Sequence, residues 1–136
     1  MVKIEIQYSG GLRCQAEHTP SGQQLTTDAP TDNRGRGESF SPTDLVATAL
    51  GTCAVTVMGI AAQQHGWNID GVQATVDKHM VAAPARRVGR LDLEIRFPQR
   101  LEESARTVLE EAGRQCPVAI TLGDRVELHF KFVWPD

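Results

Sequence analysis

Four absences narrow the reading of this chain before any motif is considered. No Cys-x-x-Cys or His-x-x-x-His spacing occurs, so a zinc site has no local support. The three cysteines, Cys14, Cys53 and Cys116, are odd in number and widely spaced, which speaks against a disulfide framework. Positive charge is not in surplus: 14 Lys and Arg face 17 Asp and Glu, for a formal net charge of -3. A mildly acidic chain has no general attraction for phosphate backbones, so no nucleic-acid partner is expected. The opening stretch, MVKIEIQYSGG, alternates charged and apolar residues and lacks the continuous apolar run of a signal peptide, which predicts a cytoplasmic protein. The one long apolar-looking segment, 45–62, contains three threonines and two glycines and follows Asp44. A membrane span needs about 20 strongly apolar residues. The segment reads instead as a helix buried in protein, and no membrane partner is expected.

What remains is an ordinary globular balance, with 40% hydrophobic and 23% charged residues in 136. That length predicts one domain, 1–136, with one core and no room for a separate cofactor domain. No repeat, linker or low-complexity stretch divides it. Lys3 to Tyr8, Arg13 to His18 and Gln23 to Thr27 read as short strands joined at Ser9-Gly10-Gly11 and Pro20-Ser21-Gly22, an N-terminal β-meander. Residues 29–37 (APTDNRGRG) have no apolar periodicity and form a loop, whose Arg34 and Arg36 read as solvated.

Ser41-Pro42-Thr43-Asp44 is a strong helix start: Ser41 suits the N-cap, Pro42 the first turn and Asp44 the capping box. The helix should run to about His65, with Gly66 as its left-handed terminator. It would be about 35 Å long, at about 1.5 Å per residue. Leu45, Val46, Leu50, Val55, Val57, Met58 and Ile60 spread over most of its circumference, which predicts a central, buried helix. A chain this short can hardly wrap it alone, so a homodimer is expected. Beyond it, Val72 to Met80 reads as a strand, 81–90 as a basic hairpin loop and Leu91 to Phe97 as a half-buried strand. Leu101 to Gln115 has helical spacing, Pro117 to Leu122 starts a second short helix, and 126–132 alternates as a last strand. The order predicts an α+β fold.

Two thiols stand in chemically suggestive places. Cys53 lies mid-helix, where it is either a small packing residue or a nucleophile. Burial there would oppose its charged form, so reactivity needs a nearby cation or hydrogen-bond donor. Cys116 precedes Pro117 at the start of a short helix, where unpaired backbone N–H groups favour a thiolate. It reads as the better exposed of the two. Cys14, next to Arg13 but on the opposite strand face, reads as packing. His18, His65, His79 and His129 are scattered, Trp67 and Trp134 suit a core or an interface, and the arginines of 86–90 suit a solvated hairpin.

Ser41-Pro42-Thr43-Asp44-Leu45, followed by Ala49 to Cys53, resembles the "N-P-E-x-L…A-x-C" helix of the OsmC/Ohr family. Gln115-Cys116-Pro117-Val118 resembles that family's second cysteine motif, and the interval of 63 positions and the element order fit along nearly the whole chain. The details are nearest to the less characterised OsmC-like branch. The resemblance implies an OsmC-like fold, an intertwined homodimer, and an antioxidant thiol peroxidase that acts on organic hydroperoxides in oxidative stress. It needs no metal or organic cofactor. Cys53 would be the peroxidatic cysteine and Cys116 the resolving one, with a dithiol reductant such as a lipoylated protein restoring both. An arginine from the N-terminal meander stands beside the first thiolate in that family, and Arg13 is the best match, ahead of Arg34 and Arg36. Its cationic fork would favour the thiolate. One departure bears on rate: the family's peroxidases carry a glutamate that fixes this arginine, and here the position is Thr43. Asp44 would instead complete the cap, and Glu38 could substitute from the preceding loop. The alternative function is a non-catalytic module of the same fold that binds an apolar small molecule in the dimer cleft.

Overall fold

A computed structural model describes all residues, Met1–Asp136. They form two compact units, Met1–Val46 and Ala47–Asp136, and the boundary falls inside the long helix.

In the first unit β1 (Ile4–Gly10), β2 (Arg13–His18) and β3 (Gln23–Asp28) form an antiparallel sheet in the order β1-β2-β3. The β1–β2 turn needs left-handed backbone at Gly10, Gly11 and Leu12, which two glycines supply without a Cβ clash. The register sets Ile6 opposite Ala16 and Ala16 opposite Leu25, whereas Arg13 faces Asp28. Period-two alternation therefore makes one face apolar, with Ile4, Ile6, Tyr8 and Leu25, and the other polar. All four apolar side chains are exposed in the single chain. After β3 the chain passes a single 3-10 turn at Thr31–Asn33 and enters α1 (Pro42–His65).

The second unit holds the greater part of α1, then β4 (Gln73–Val81), β5 (Arg87–Arg96), α2 (Glu103–Arg114), α3 (Pro117–Leu122) and β6 (Glu127–Val133). Its sheet runs β4-β5-β6, with β4 and β5 antiparallel and β5 and β6 parallel. A parallel neighbour demands a crossover, and α2 and α3 supply it. Leu91, Leu93 and Ile95 of β5 are buried, as are Leu50, Ala54 and Met58 of α1 and Leu109 of α2. Gly51 lets α1 approach the sheet: a Cβ there would lie 2.9 Å from Val76 Cγ2. Gly113 does the same for α2 against Met58. Trp134 closes the far end, stacked on Phe97 at 3.6 Å and donating from Nε1 to Glu110 at 2.8 Å.

The α+β order and the long helix agree with the sequence expectations, and Gly66 does take a left-handed φ of 73°. Two details differ. The basic hairpin is shorter than 81–90, because β5 starts at Arg87 and pairs back to Val81. And α1 is not enclosed all round in the single chain. Its fully buried residues form one stripe, Ala47, Leu50, Gly51, Ala54, Met58 and Ala62, at helical spacing, while Ile60 is exposed. By length and composition α1 could cross a membrane, but this stripe packs on β4, β5 and α2 as a core helix does.

Candidate functional site

Cys53 and Cys116 are the sequence-predicted site residues that the second unit brings together. Cys53 sits about three turns into α1, on the flank of the buried stripe, and is half-buried. Cys116 is the N-cap of α3, with Pro117 behind it. Proline in the first helical turn loses nothing, since its missing N–H would have no partner there. The break between α2 and α3 leaves the Cys116 side chain fully buried, with Cys53 as its thiol neighbour. Both are free.

Burial orders the pair in the reverse of the sequence expectation. Cys116 is fully buried and Cys53 is the more accessible thiol. Burial is the first cause that pushes the Cys116 thiol above its ordinary value. The backbone N–H groups of Ala119 and Val118 act the other way but do not prevail, and Cys53 adds to the upward push. The expected thiolate-favouring effect of the helix start is therefore present and outweighed by desolvation. The net direction favours the protonated form of Cys116, with Cys53 as its thiol neighbour.

Arg13 belongs to the first unit, where its surroundings are well defined. Its Nη2 donates to Glu38 Oε2 at 2.6 Å and lies 3.4 Å from Asp28 Oδ2. The hydrogen bond to Glu38 and the charge of Asp28 both push the guanidinium's value up, so it stays charged. Arg13 thus has two carboxylate partners, although Thr43 offers none. The Thr43 hydroxyl lies 3.1 Å from Ser41 Oγ instead. Asp44 is spent on the cap: Ser41 Oγ accepts from the Asp44 N–H at 3.0 Å, and Asp44 Oδ2 accepts from the Ser41 N–H at 2.9 Å. This is a reciprocal capping box. Arg36 reaches the same Glu38 only at 4.0 Å, and Arg34 takes a left-handed turn position with φ 69°.

Sequence reasoning missed Asp28. Its side chain is 1% exposed, and its Oδ2 accepts from the Glu38 backbone N–H at 3.0 Å as well as facing Arg13. That backbone hydrogen bond is the leading cause that holds the carboxyl below its ordinary value, against burial and with help from Arg13. The signal is available in the hairpin, since Arg13 and Asp28 lie symmetrically about the turn 19–22, but a third strand ending at Thr27 leaves Asp28 out.

The remaining candidates have structural duties. Cys14 pairs across the sheet with Tyr8 and Thr27, on the face opposite to Arg13. His65 closes α1, its Nδ1 2.9 Å from the Ala61 carbonyl and its ring stacked on Trp67. His79 and His129 flank Asp92 on adjacent strands at 2.8 and 3.1 Å, and Arg90 joins them. His18 meets Ser21 Oγ at 2.6 Å in the β2–β3 turn. No group of three or more metal-ligating side chains has the geometry to hold an ion.

A small α+β protein with two facing thiols on a long central helix and a helix start is the class that the fold defines. A family model described as OsmC-like protein matches residues 35–131. The chain belongs to that family. Among solved structures, it is similar to a Psychrobacter arcticus protein provisionally described as an osmotic stress induced and detoxification response protein. The two share 38% identity, the alignment covers 99% of this chain and 96% of that one, and the TM-score is 0.89. An organic hydroperoxide resistance protein OsmC from Legionella pneumophila shares the fold at 16% identity, with 98% and 96% covered and a TM-score of 0.79. An organic hydroperoxide resistance protein from Elizabethkingia anophelis does so at 14%, with 99% and 96% covered and a TM-score of 0.76. No curated protein sequence matches.

Proposed function

We propose that this protein is a thiol peroxidase that reduces organic hydroperoxides through Cys53 and Cys116. The carrying observation is the pair of neighbouring free thiols, Cys116 fully buried and pushed by burial towards its protonated form and Cys53 the more accessible. Two relatives of the same fold are named for organic hydroperoxide resistance, which supports the substrate class.

The chemistry follows from that division. The Cys53 thiolate attacks the outer peroxide oxygen. The O–O bond breaks, the leaving alkoxide takes a proton and departs as alcohol, and Cys53 becomes a sulfenic acid. The Cys116 sulfur then attacks the Cys53 sulfur. The S–O bond breaks, the hydroxyl leaves as water with the Cys116 proton, and a Cys53–Cys116 disulfide remains. An external dithiol returns two electrons and two protons. A thiol that burial keeps protonated does not compete for peroxide, yet it stands where the sulfenic acid forms. Arg13 is the cation that the family resemblance assigns to the thiolate, and its two carboxylate partners would hold its fork in one orientation. No metal or organic cofactor enters this scheme.

The working form in this reading is a cytoplasmic homodimer. Ile4, Ile6, Tyr8 and Leu25 make an exposed apolar sheet face, and Ile60 an exposed spot on α1. Apolar faces of this kind are normally covered by a partner, and a second copy is the simplest one. Light scattering at micromolar concentration should read twice the chain mass.

Stopped-flow oxidation with cumene or tert-butyl hydroperoxide tests the enzyme reading. The wild type should consume peroxide in a fast single turnover that Cys53→Ser abolishes, and Cys116→Ser should leave the first step but stop at the sulfenic acid. A wild type no faster than Cys53→Ser would sink it. Unmodified thiols beside a co-purified lipophilic ligand would point instead to a binding module.

A further inference from the structure

The first unit contains a buried carboxylate that the proposed chemistry does not use. Asp28 is 1% exposed, and it ends β3 directly across from Arg13. Its Oδ2 accepts from the Glu38 N–H at 3.0 Å and lies 3.4 Å from Arg13 Nη2, while its Oδ1 is buried without a hydrogen-bond partner. Its own N–H donates to the Phe40 carbonyl at 3.0 Å. The same residue therefore holds the arginine and, through 38 and 40, the segment leading to the Ser41 cap. Glu38 differs. Its carboxylate is 54% exposed, and an exposed ion pair holds little by itself. Burying a carboxylate is costly unless charge and hydrogen bonds compensate. Here Oδ1 has no hydrogen-bond partner, so the Glu38 N–H and the charge of Arg13, both at Oδ2, carry the compensation. Both acidic partners take the same Arg13 nitrogen, Nη2, so Nε and Nη1 are not spent on them.

We propose that Asp28 is the positioning residue for Arg13, in place of the carboxylate that is absent at Thr43, and that it does this job more than Glu38 does. The proposal rests on the peroxidase reading above for its effect on Cys53. Asp28 touches neither substrate nor thiol in this scheme. It acts by fixing the direction of the guanidinium fork and the loop beside it.

Asp28→Asn is the main test, because an asparagine oxygen still accepts from the Glu38 N–H while the charge that faces Arg13 is gone. Measured with Arg13 and with Arg13→Ala, it gives a double-mutant cycle. In the Arg13 background, kcat/KM for cumene hydroperoxide should fall by about tenfold or more, as misplaced catalytic groups do. The pH profile of iodoacetamide alkylation at Cys53 should move to higher pH. In the Arg13→Ala background Asp28→Asn should change neither. Equal losses in both backgrounds would make Asp28 merely structural and overturn the proposal, as would a wild-type rate and profile for Asp28→Asn. Should wild type fail to consume peroxide, the peroxidase reading falls, but the alkylation cycle still decides the role of Asp28. Glu38→Gln, an exposed change that leaves the fold intact, supplies a second comparison. It should lose no more than about fivefold, the span of an exposed ion pair. A loss equal to or greater than that of Asp28→Asn, or a tenfold loss where Asp28→Asn fails to fold, assigns the arginine to Glu38 and overturns the proposal.

Discussion

Oxidising the thiol pair should make the protein harder to unfold, by an amount that the chain itself sets. A Cys53–Cys116 bond would close a loop across 63 positions, which the reduced, unfolded chain is free to open. The chain-entropy relation gives about 4 kcal/mol for a loop of that length at 25 °C. Native strain subtracts from this, since α1 and the start of α3 must bring two neighbouring free sulfurs to bond length. A gain of about 2–4 kcal/mol is expected. With an m-value of about 3 kcal/mol/M in guanidinium chloride, the midpoint should rise by about 1 M. The assay is paired denaturation of reduced protein and protein treated with one equivalent of hydroperoxide, both on a Cys14→Ser background so that only two thiols remain. Mass spectrometry should show a loss of two hydrogens and one peptide pair bridging the two cysteines. Three results would refute the reasoning: an intermolecular crosslink, a sulfinic acid at Cys53 beside an untouched Cys116, or an oxidised form that unfolds earlier than the reduced one.

Further outcomes follow from local geometry. Ser41→Ala removes the buried acceptor of the Asp44 N–H and should cost about 1–2 kcal/mol in urea denaturation, the upper part of the N-cap range. A loss under a few tenths would mean that the capping box does not hold α1. Gly51→Ala should destabilise by about 1–2 kcal/mol despite the better helix propensity of alanine, because its Cβ would sit 2.9 Å from Val76 Cγ2. Adding Val76→Ala should recover part of the loss, and additivity of the two would refute the contact. On the pH axis, Asp28 is held below its ordinary value by the Glu38 N–H and by Arg13, and Glu94 by Lys131 and Arg96. A depressed carboxyl contributes stability above its unfolded value and loses it as pH falls through the folded one. Stability should therefore decline below about pH 5, and Asp28→Asn should flatten that decline. A limb unchanged by Asp28→Asn would show that its carboxylate is not linked to folding.

Much of this was legible because the sequence states it locally. Ser41, Pro42 and Asp44 announce a helix start within four residues, and strict alternation from Leu91 to Phe97 announces a half-buried strand; neither needs knowledge of a distant contact. The site was legible by half. Cys53 and Cys116 were found by their flanking residues, but their relative burial was not, because it depends on how α2 and α3 turn at Gln115–Pro117. Helix-start logic favoured an exposed, charged Cys116, and tertiary packing overrode it. Asp28 was missed for a related reason. A lone aspartate at a strand end reads as a turn residue, and only the hairpin register sets it opposite Arg13. The one-sided burial of α1 was hidden in the same way: an apolar helix shows no preferred face in its sequence, so the buried stripe appears only when Val76, Leu93 and Gly113 are in place against it.

The reversed burial of the thiols alters the chemical argument more than it alters the list of residues. Had Cys116 been the exposed, acidified thiol, both cysteines would have been nucleophiles, and peroxide could have attacked either one. Full burial removes that ambiguity, since desolvation opposes its charged form and access is closed. The proton it retains is the one that water needs when the sulfenic acid is resolved. The cost is that Cys116 cannot react by itself; it is competent only against a sulfur already at its side. Cys53, half-buried on the helix flank, gains no such protection. In the proposed scheme the rate of the first step would rest on Arg13, and so on its carboxylate partners Asp28 and Glu38. In this chain, then, the thiol order should survive loss of the arginine clamp, while the speed of the first step should not. Rapid-quench kinetics on Arg13→Ala should show slow sulfenic acid formation followed by resolution at the wild-type rate. Slowed resolution would mean that the clamp also shapes the thiol pair.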